Sequence, residues 1–99
     1  MTGRVFVDDI GVSVVHSAGT TQCPWPEMGD VTVQASLLPP HDQRLVELDI
    51  SHVSGEFMTV TDQFEGFHEA VAAVAARSGA RLPDLATLGP SDGVVHLYP

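Results

Sequence analysis

Five histidines stand out first as chemistry-bearing residues in this 99-residue chain: His16, His41, His52, His68 and His96. With Asp8, Asp9, Asp42 or Glu69 they supply the side-chain types of a metal centre or an acid–base pair. Their spacing argues against both. None lies four residues from another on a helical stretch, or two apart on a strand, where two imidazoles would share one side. His16 continues the alternation of Val12 and Val14, and His96 alternates with Val94 and Tyr98, so each reads as a strand-edge or core-rim residue. His68-Glu69 opens the H-E-x-x-H pattern of zinc hydrolases, but Ala72 stands where the second histidine must be.

Two nucleophile candidates fail on similar grounds. Gly89-Pro90-Ser91-Asp92-Gly93 spells G-x-S-x-G, a motif that needs a strand before the serine and a helix after it. Here Pro90 precedes the serine and a strand-like tail follows, so the segment reads as a turn. Cys23 sits in Cys23-Pro24-Trp25-Pro26 with no second cysteine, and its nearest charge, Glu27, would raise the thiol pKa. That cluster reads as a proline-stiffened loop whose one tryptophan either plugs the core edge or touches a partner. No dinucleotide, P-loop or EF-hand string occurs. The expectation is no catalytic constellation, no cofactor and no metal.

The charge balance narrows the partners. Lys+Arg total 4 against 13 Asp+Glu, a net charge of −9, and every basic residue is an arginine. Such a chain does not suit phosphate backbones or anionic membranes. A hydrophobic content of 43% supports a core, and the length fits one domain spanning 1–99. No apolar run approaches the roughly 18 residues of a membrane span. Asp8 and Asp9 interrupt the start of the chain where a secretory signal would be apolar, and one cysteine builds no disulfide framework. A cytoplasmic protein is expected.

These residues must be positioned by short elements. Val5–Val7 and Val12–Val15 read as a hairpin, and 17–30 as one long loop. Val31, Val33, Ala35 and Leu37 alternate with polar residues, as do Val46, Leu48 and Ile50. An antiparallel pairing of 37 with 44 brings both apolar faces together. A further strand covers 56–61, with Met58 and Val60 facing away from the helix. Asp62-Gln63-Phe64-Glu65 resembles a capping box and starts a helix over 62–78, with the stripe Phe64, Phe67, Val71 and Val74, ending at Gly79. Residues 82–89 read as a short helix with Pro83 near its start, and 94–98 as a last strand. The predicted architecture is α+β: a mainly antiparallel sheet of five to six strands, with the main helix packed across it and a short C-terminal helix before the last strand.

That layout leaves Leu45, Glu47, Asp49, Glu56, Met58 and Val60 on the non-helix face. Carboxylates among exposed aliphatics suit a binding surface with an apolar centre and an acidic surround. The expectation is a small interaction protein, of the inhibitor or toxin-neutralising (immunity) kind. It would cover a basic surface of a partner protein, such as a nuclease, through Glu47, Asp49, Glu56, Leu45, Met58 and Trp25. Two alternatives remain open: a homodimeric accessory subunit joined through the alanines of the helix or an open sheet edge, and a small histidine-dependent lyase, isomerase or cyclase.

Overall fold

Turn chemistry decides where the alternating segments fold back. In the computed structural model, which describes residues 3–98, β1 (Arg4–Val7) and β2 (Gly11–His16) form the expected first hairpin. The Asp8 carboxylate closes it by accepting the N–H groups of Ile10 and Gly11 at 2.9 and 3.2 Å, an Asx arrangement that tight turns favour.

The stretch 17–30 is not the long loop expected. A two-residue turn at Ser17-Ala18 leads into β3 (Gly19–Pro24), which pairs with β2 so that Cys23 lies opposite Val12. A single 3-10 turn then covers Trp25–Glu27. The prolines that suggested a loop stand only at the strand's end and in this turn.

The central hairpin follows the expected register. β4 (Met28–Leu38) and β5 (Gln43–His52) pair Leu37 with Arg44, Ala35 with Val46, Val33 with Leu48 and Val31 with Ile50. β6 (Phe57–Thr61) adds to the free side of β5. β7 (Val95–Tyr98) adds to the other side of β4.

The strands divide between two antiparallel sheets, ordered β1-β2-β3 and β6-β5-β4-β7, and not the single sheet of five to six strands that was expected. The chain turns the corner between them at Pro24-Trp25-Pro26. Both inward faces then share one core, with Val5, Val12 and Val14 from the first sheet and Val33, Leu48 and Ile50 from the second. Two sheets bury each other's apolar faces, which one helix could not do for a single open sheet of this many strands.

The helix starts later than its sequence signals suggest. α1 covers Phe67–Ser78, and Asp62 does not cap it. Glu65 instead pairs with β1: its N–H donates to the Gly3 carbonyl and its carbonyl accepts the Val5 N–H, both at 2.9 Å. Backbone groups used in that pairing cannot also begin a helix. Phe67, Ala70, Val71, Val74 and Ala75 form the buried stripe, while Phe64 lies half-buried before the helix. Gly79 ends it in the left-handed region, donating to the Ala75 and Ala76 carbonyls.

The expected helix at 82–89 is absent. The Asp84 carbonyl accepts the Thr87 and Leu88 N–H groups in one isolated turn, and a 3-10 turn follows at Pro90–Asp92. The Arg44 guanidinium from β5 donates to the Leu85 and Leu88 carbonyls, with Nε 2.8 Å from the latter. A distant side chain thus satisfies carbonyls of this segment, and Leu85 and Leu88 are buried without a helix.

Two glycines test this account. Gly66 (φ 83°) has the Val5 carbonyl oxygen 2.5 Å from where a Cβ would stand, whereas Gly79 (φ 76°) has nothing within 4 Å. Gly79→Ala is expected to cost about 1–2 kcal/mol, the left-handed penalty alone. Gly66→Ala is expected to cost about 3 kcal/mol or more, because contact with the β1 backbone is added. Urea unfolding of both variants checks the order; equal costs would contradict the close approach of α1 to β1.

Candidate functional site

The register of the four-stranded sheet sends Leu45, Glu47, Asp49 and Ser51 of β5 away from the core. Their neighbours are Ser36, Gln34 and Thr32 on β4, and Thr61, Thr59 and Phe57 on β6. Every one of these residues keeps part or all of its solvent exposure.

Two expected members are absent from this outer face. Met58 lies opposite Ile50 and Val60 opposite Leu48, so both point inward. Val60 is fully buried, and Met58 packs against the core. Sequence alternation in 56–61 admits two parities, and burying Phe57 would have been the obvious choice. Pairing with β5 selects the other parity and leaves Phe57 72% exposed. Instead of acids among aliphatics, the face is therefore acids among Thr, Ser and Gln, with Leu45 and Phe57 towards its two ends. Glu56 is exposed in the turn leading into β6.

Asp49 is held in place. Its carboxylate accepts the Thr59 hydroxyl at 2.7 Å and the Gln34 amide at 3.3 Å. Glu47 stands two residues away on the same face, and burial, followed by the Asp49 charge, pushes its carboxyl above the ordinary glutamate value. Neither acid has a cationic neighbour; among the described residues the one ion pair joins His52 and Glu27. Arg44 is spent on backbone carbonyls, and Arg77 stacks 4.7 Å from the Trp25 ring centroid.

Trp25 sits elsewhere and is only 6% exposed. Its indole N–H donates to the Asp8 carbonyl at 3.0 Å, and its ring centroid lies 5.3 Å from that of Tyr98. Cys23, just before it, is also buried. Burial first, and Glu27 second, raise its thiol pKa, so it is a poor nucleophile.

One constellation was not visible in the sequence. His52 Nε2 lies 2.8 Å from Glu27 Oε1, and its Nδ1 lies 2.8 Å from Ser54 Oγ. Serine, imidazole and carboxylate in line are the parts of an acyl-transfer relay. The geometry lacks the rest. Nδ1 also accepts the Ser54 N–H, the Gly55 N–H is spent on the His52 carbonyl, and the Glu56 N–H points at the serine hydroxyl itself. No donor is left there for a developing oxyanion. The group works as a clasp between the β5–β6 turn and the Trp25–Glu27 turn, reinforced by the Val53 N–H donating to the Glu27 carbonyl at 2.9 Å. His52 and Ser54 stand two apart in a Gly-containing turn, a local signal. Glu27 is 25 residues away in sequence and gave none.

Beside this clasp, a cleft of about 220 Å³ opens between β3 and the start of β6, floored by Cys23, Ile50 and Met58. It is smaller than the roughly 300 Å³ from which small-molecule pockets begin. A wider hollow of about 560 Å³ holds Arg4, His16 and Glu65. The cleft is lined by one histidine, His52, and the wider hollow by another, His16. Among the described residues no three His, Cys, Asp or Glu side chains group closely enough to hold a metal ion. Among the described residues no helix is long and apolar enough to cross a membrane. No family model, no curated protein and no solved structure matches the chain.

The raised Glu47 value fixes the sign of a pH effect. A native pKa above the unfolded one means that the folded chain binds the proton more tightly, so ionising Glu47 costs stability as pH rises through that window. Glu47→Gln is expected to raise the Tm at pH 7. At pH 3, where the carboxyl is protonated in both states, the Tm should not change. Thermal unfolding followed by circular dichroism measures both; a lower Tm at pH 7 would contradict the strained carboxylate.

Proposed function

We propose that this chain is a protein-interaction module that covers a basic surface of a partner protein, in the manner of an inhibitor. It does so with the acidic outer face of its four-stranded sheet. The observation that carries this reading is the placement of Glu47 and Asp49. They lie two residues apart on one exposed face, and neither is in an ion pair with any of the chain's four arginines. A fold that spends Arg44 on backbone carbonyls and Arg77 on an indole, and leaves two carboxylates of one face without an ion-pair partner, tolerates repulsion that a cationic partner would relieve. The Thr59 and Gln34 hydrogen bonds fix the Asp49 carboxylate before a partner arrives, which lowers the ordering cost of binding. Glu56 and Phe57 continue the surface at one end, supplying a further acid and an exposed aromatic contact.

The test separates location from net charge. Binding to a folded basic protein, cytochrome c, is measured by titration calorimetry at low and at physiological ionic strength. The E47Q/D49N pair is expected to weaken binding at least about tenfold at low salt. Removing the same charge elsewhere, with Asp9→Asn and Glu69→Gln, should change it by no more than about twofold, since both acids lie off this face. Equal losses in the two double variants would overturn the reading.

A further inference from the structure

The pairing pattern shows which backbone groups of β6 are committed. The His52 N–H donates to the Glu56 carbonyl and the Asp62 N–H to the Val46 carbonyl. In an antiparallel ladder such groups alternate, so Met58 and Val60 bond to β5 while Phe57, Thr59 and Thr61 point their backbone groups away from it. The Thr61 carbonyl is taken by the Phe64 N–H. Among the described residues no strand pairs with the outer side of β6, which leaves both backbone groups of Phe57 and Thr59 facing an open edge.

Exposed edges are normally guarded by a lysine, a proline, a bulge or a very short strand. This one is guarded by none of these. It is Phe57-Met58-Thr59-Val60-Thr61, aromatic and β-branched residues in regular register. Of the other terminal strands, β3 ends in Pro24, β1 is met by Glu65, and the Leu97 carbonyl of β7 accepts the Ser78 hydroxyl.

We propose that β6 is a strand-addition site, and that its occupant is an extended segment of a partner in which basic and aliphatic residues alternate. The inference rests on the reading of the outer face as an acidic docking surface and adds how the partner is held. Successive side chains of an added strand point to opposite faces. One set would lie on the outer face beside Phe57 and Thr59, within reach of the uncompensated Asp49, and there lysine or arginine fits. The other set would turn towards the cleft floored by Cys23, Ile50 and Met58, whose 220 Å³ has room for an aliphatic side chain. Exposed Phe57 also borders the cleft.

A second copy of this chain fits the edge poorly. The antiparallel register that pairs all five residues of β6 with themselves is centred on Thr59, and it sets Glu56 of each copy opposite Asp62 of the other. Two like-charge contacts, on molecules that each carry −9, oppose that dimer.

The probe is a fluorescent, end-blocked Lys-Val-Lys-Val-Lys-Val peptide, with Glu-Val-Glu-Val-Glu-Val as its charge-reversed control. Fluorescence anisotropy measures affinity, and NMR amide exchange reports the Phe57 and Thr59 N–H groups. Thr59→Pro removes an outward N–H without touching the β5 ladder, a position where an edge strand accepts proline. Thr59→Ala removes the hydroxyl on Asp49 but keeps that N–H. The lysine peptide should slow exchange at Phe57 and Thr59. Its affinity should fall at least about tenfold in Thr59→Pro and by no more than about threefold in Thr59→Ala.

Unchanged exchange at both amides, or equal affinity for wild type and Thr59→Pro, would overturn the inference. So would absence of peptide binding while cytochrome c still binds, and in each of these cases the outer-face reading survives. Equal binding of the glutamate peptide would overturn the basic-partner reading as well. Should Thr59→Pro not fold, the exchange data on the wild-type chain decide alone.

Discussion

The structure depends on the corner at which the chain leaves one sheet and enters the other. There Trp25 is fixed on three sides: by its N–H on the Asp8 carbonyl, by Tyr98 of β7, and by the Arg77 guanidinium over its face. These contacts join the first hairpin, the last strand and the end of α1 at one ring. A buried indole with its N–H satisfied and a cation on its π face is well suited to that task. The Glu27–His52 contact and the Val53–Glu27 backbone bond hold the other side of the same corner. With the corner fixed, the two sheets share one core. The side where β1 and β7 lie is packed by α1, and the side where β3 and β6 lie stays open.

That asymmetry distributes the charge. Arg44 serves carbonyls at one end of the core and Arg77 serves the corner, so neither is available to the acids of the four-stranded sheet. The polar outer face, the small cleft and the unguarded edge of β6 are contiguous through Phe57, Thr59 and Glu56. An extended basic partner could use all three at once: charge on the face, a side chain in the cleft and main-chain bonds along the edge.

Much of the fold was legible in the sequence. The β4–β5 register followed from two alternating segments whose apolar faces coincide when 37 pairs with 44, and the first hairpin from its Asp8 turn. The errors have specific causes. Gly19–Pro24 was hidden as a strand by prolines, of which one is its last residue and the other stands in the turn that follows. Asp62-Gln63-Phe64-Glu65 has the letters of a helix start, but Glu65 is claimed by β1, and pairing across 60 residues leaves no local signal. The 82–89 segment has a helical pattern, yet its Leu85 and Leu88 carbonyls are satisfied by Arg44. Of the residues expected at a partner surface, Glu47, Asp49 and Leu45 do share one face and Glu56 borders it. Met58 and Trp25 turn inward, because pairing with β5 set the parity of β6 and the corner needed an indole.

The sequence by itself determined the acidic balance, the α+β content, the central hairpin and the helix end at Gly79. Each of these depends on residue type or on spacing within a few residues. Only the tertiary structure decided that the strands form two sheets, which face of β6 is buried, where Arg44 and Arg77 are used, and that the outer edge of β6 is left without a strand. Those outcomes depend on which distant segment reaches a backbone or side-chain group first, and a local pattern of residues carries no record of that competition.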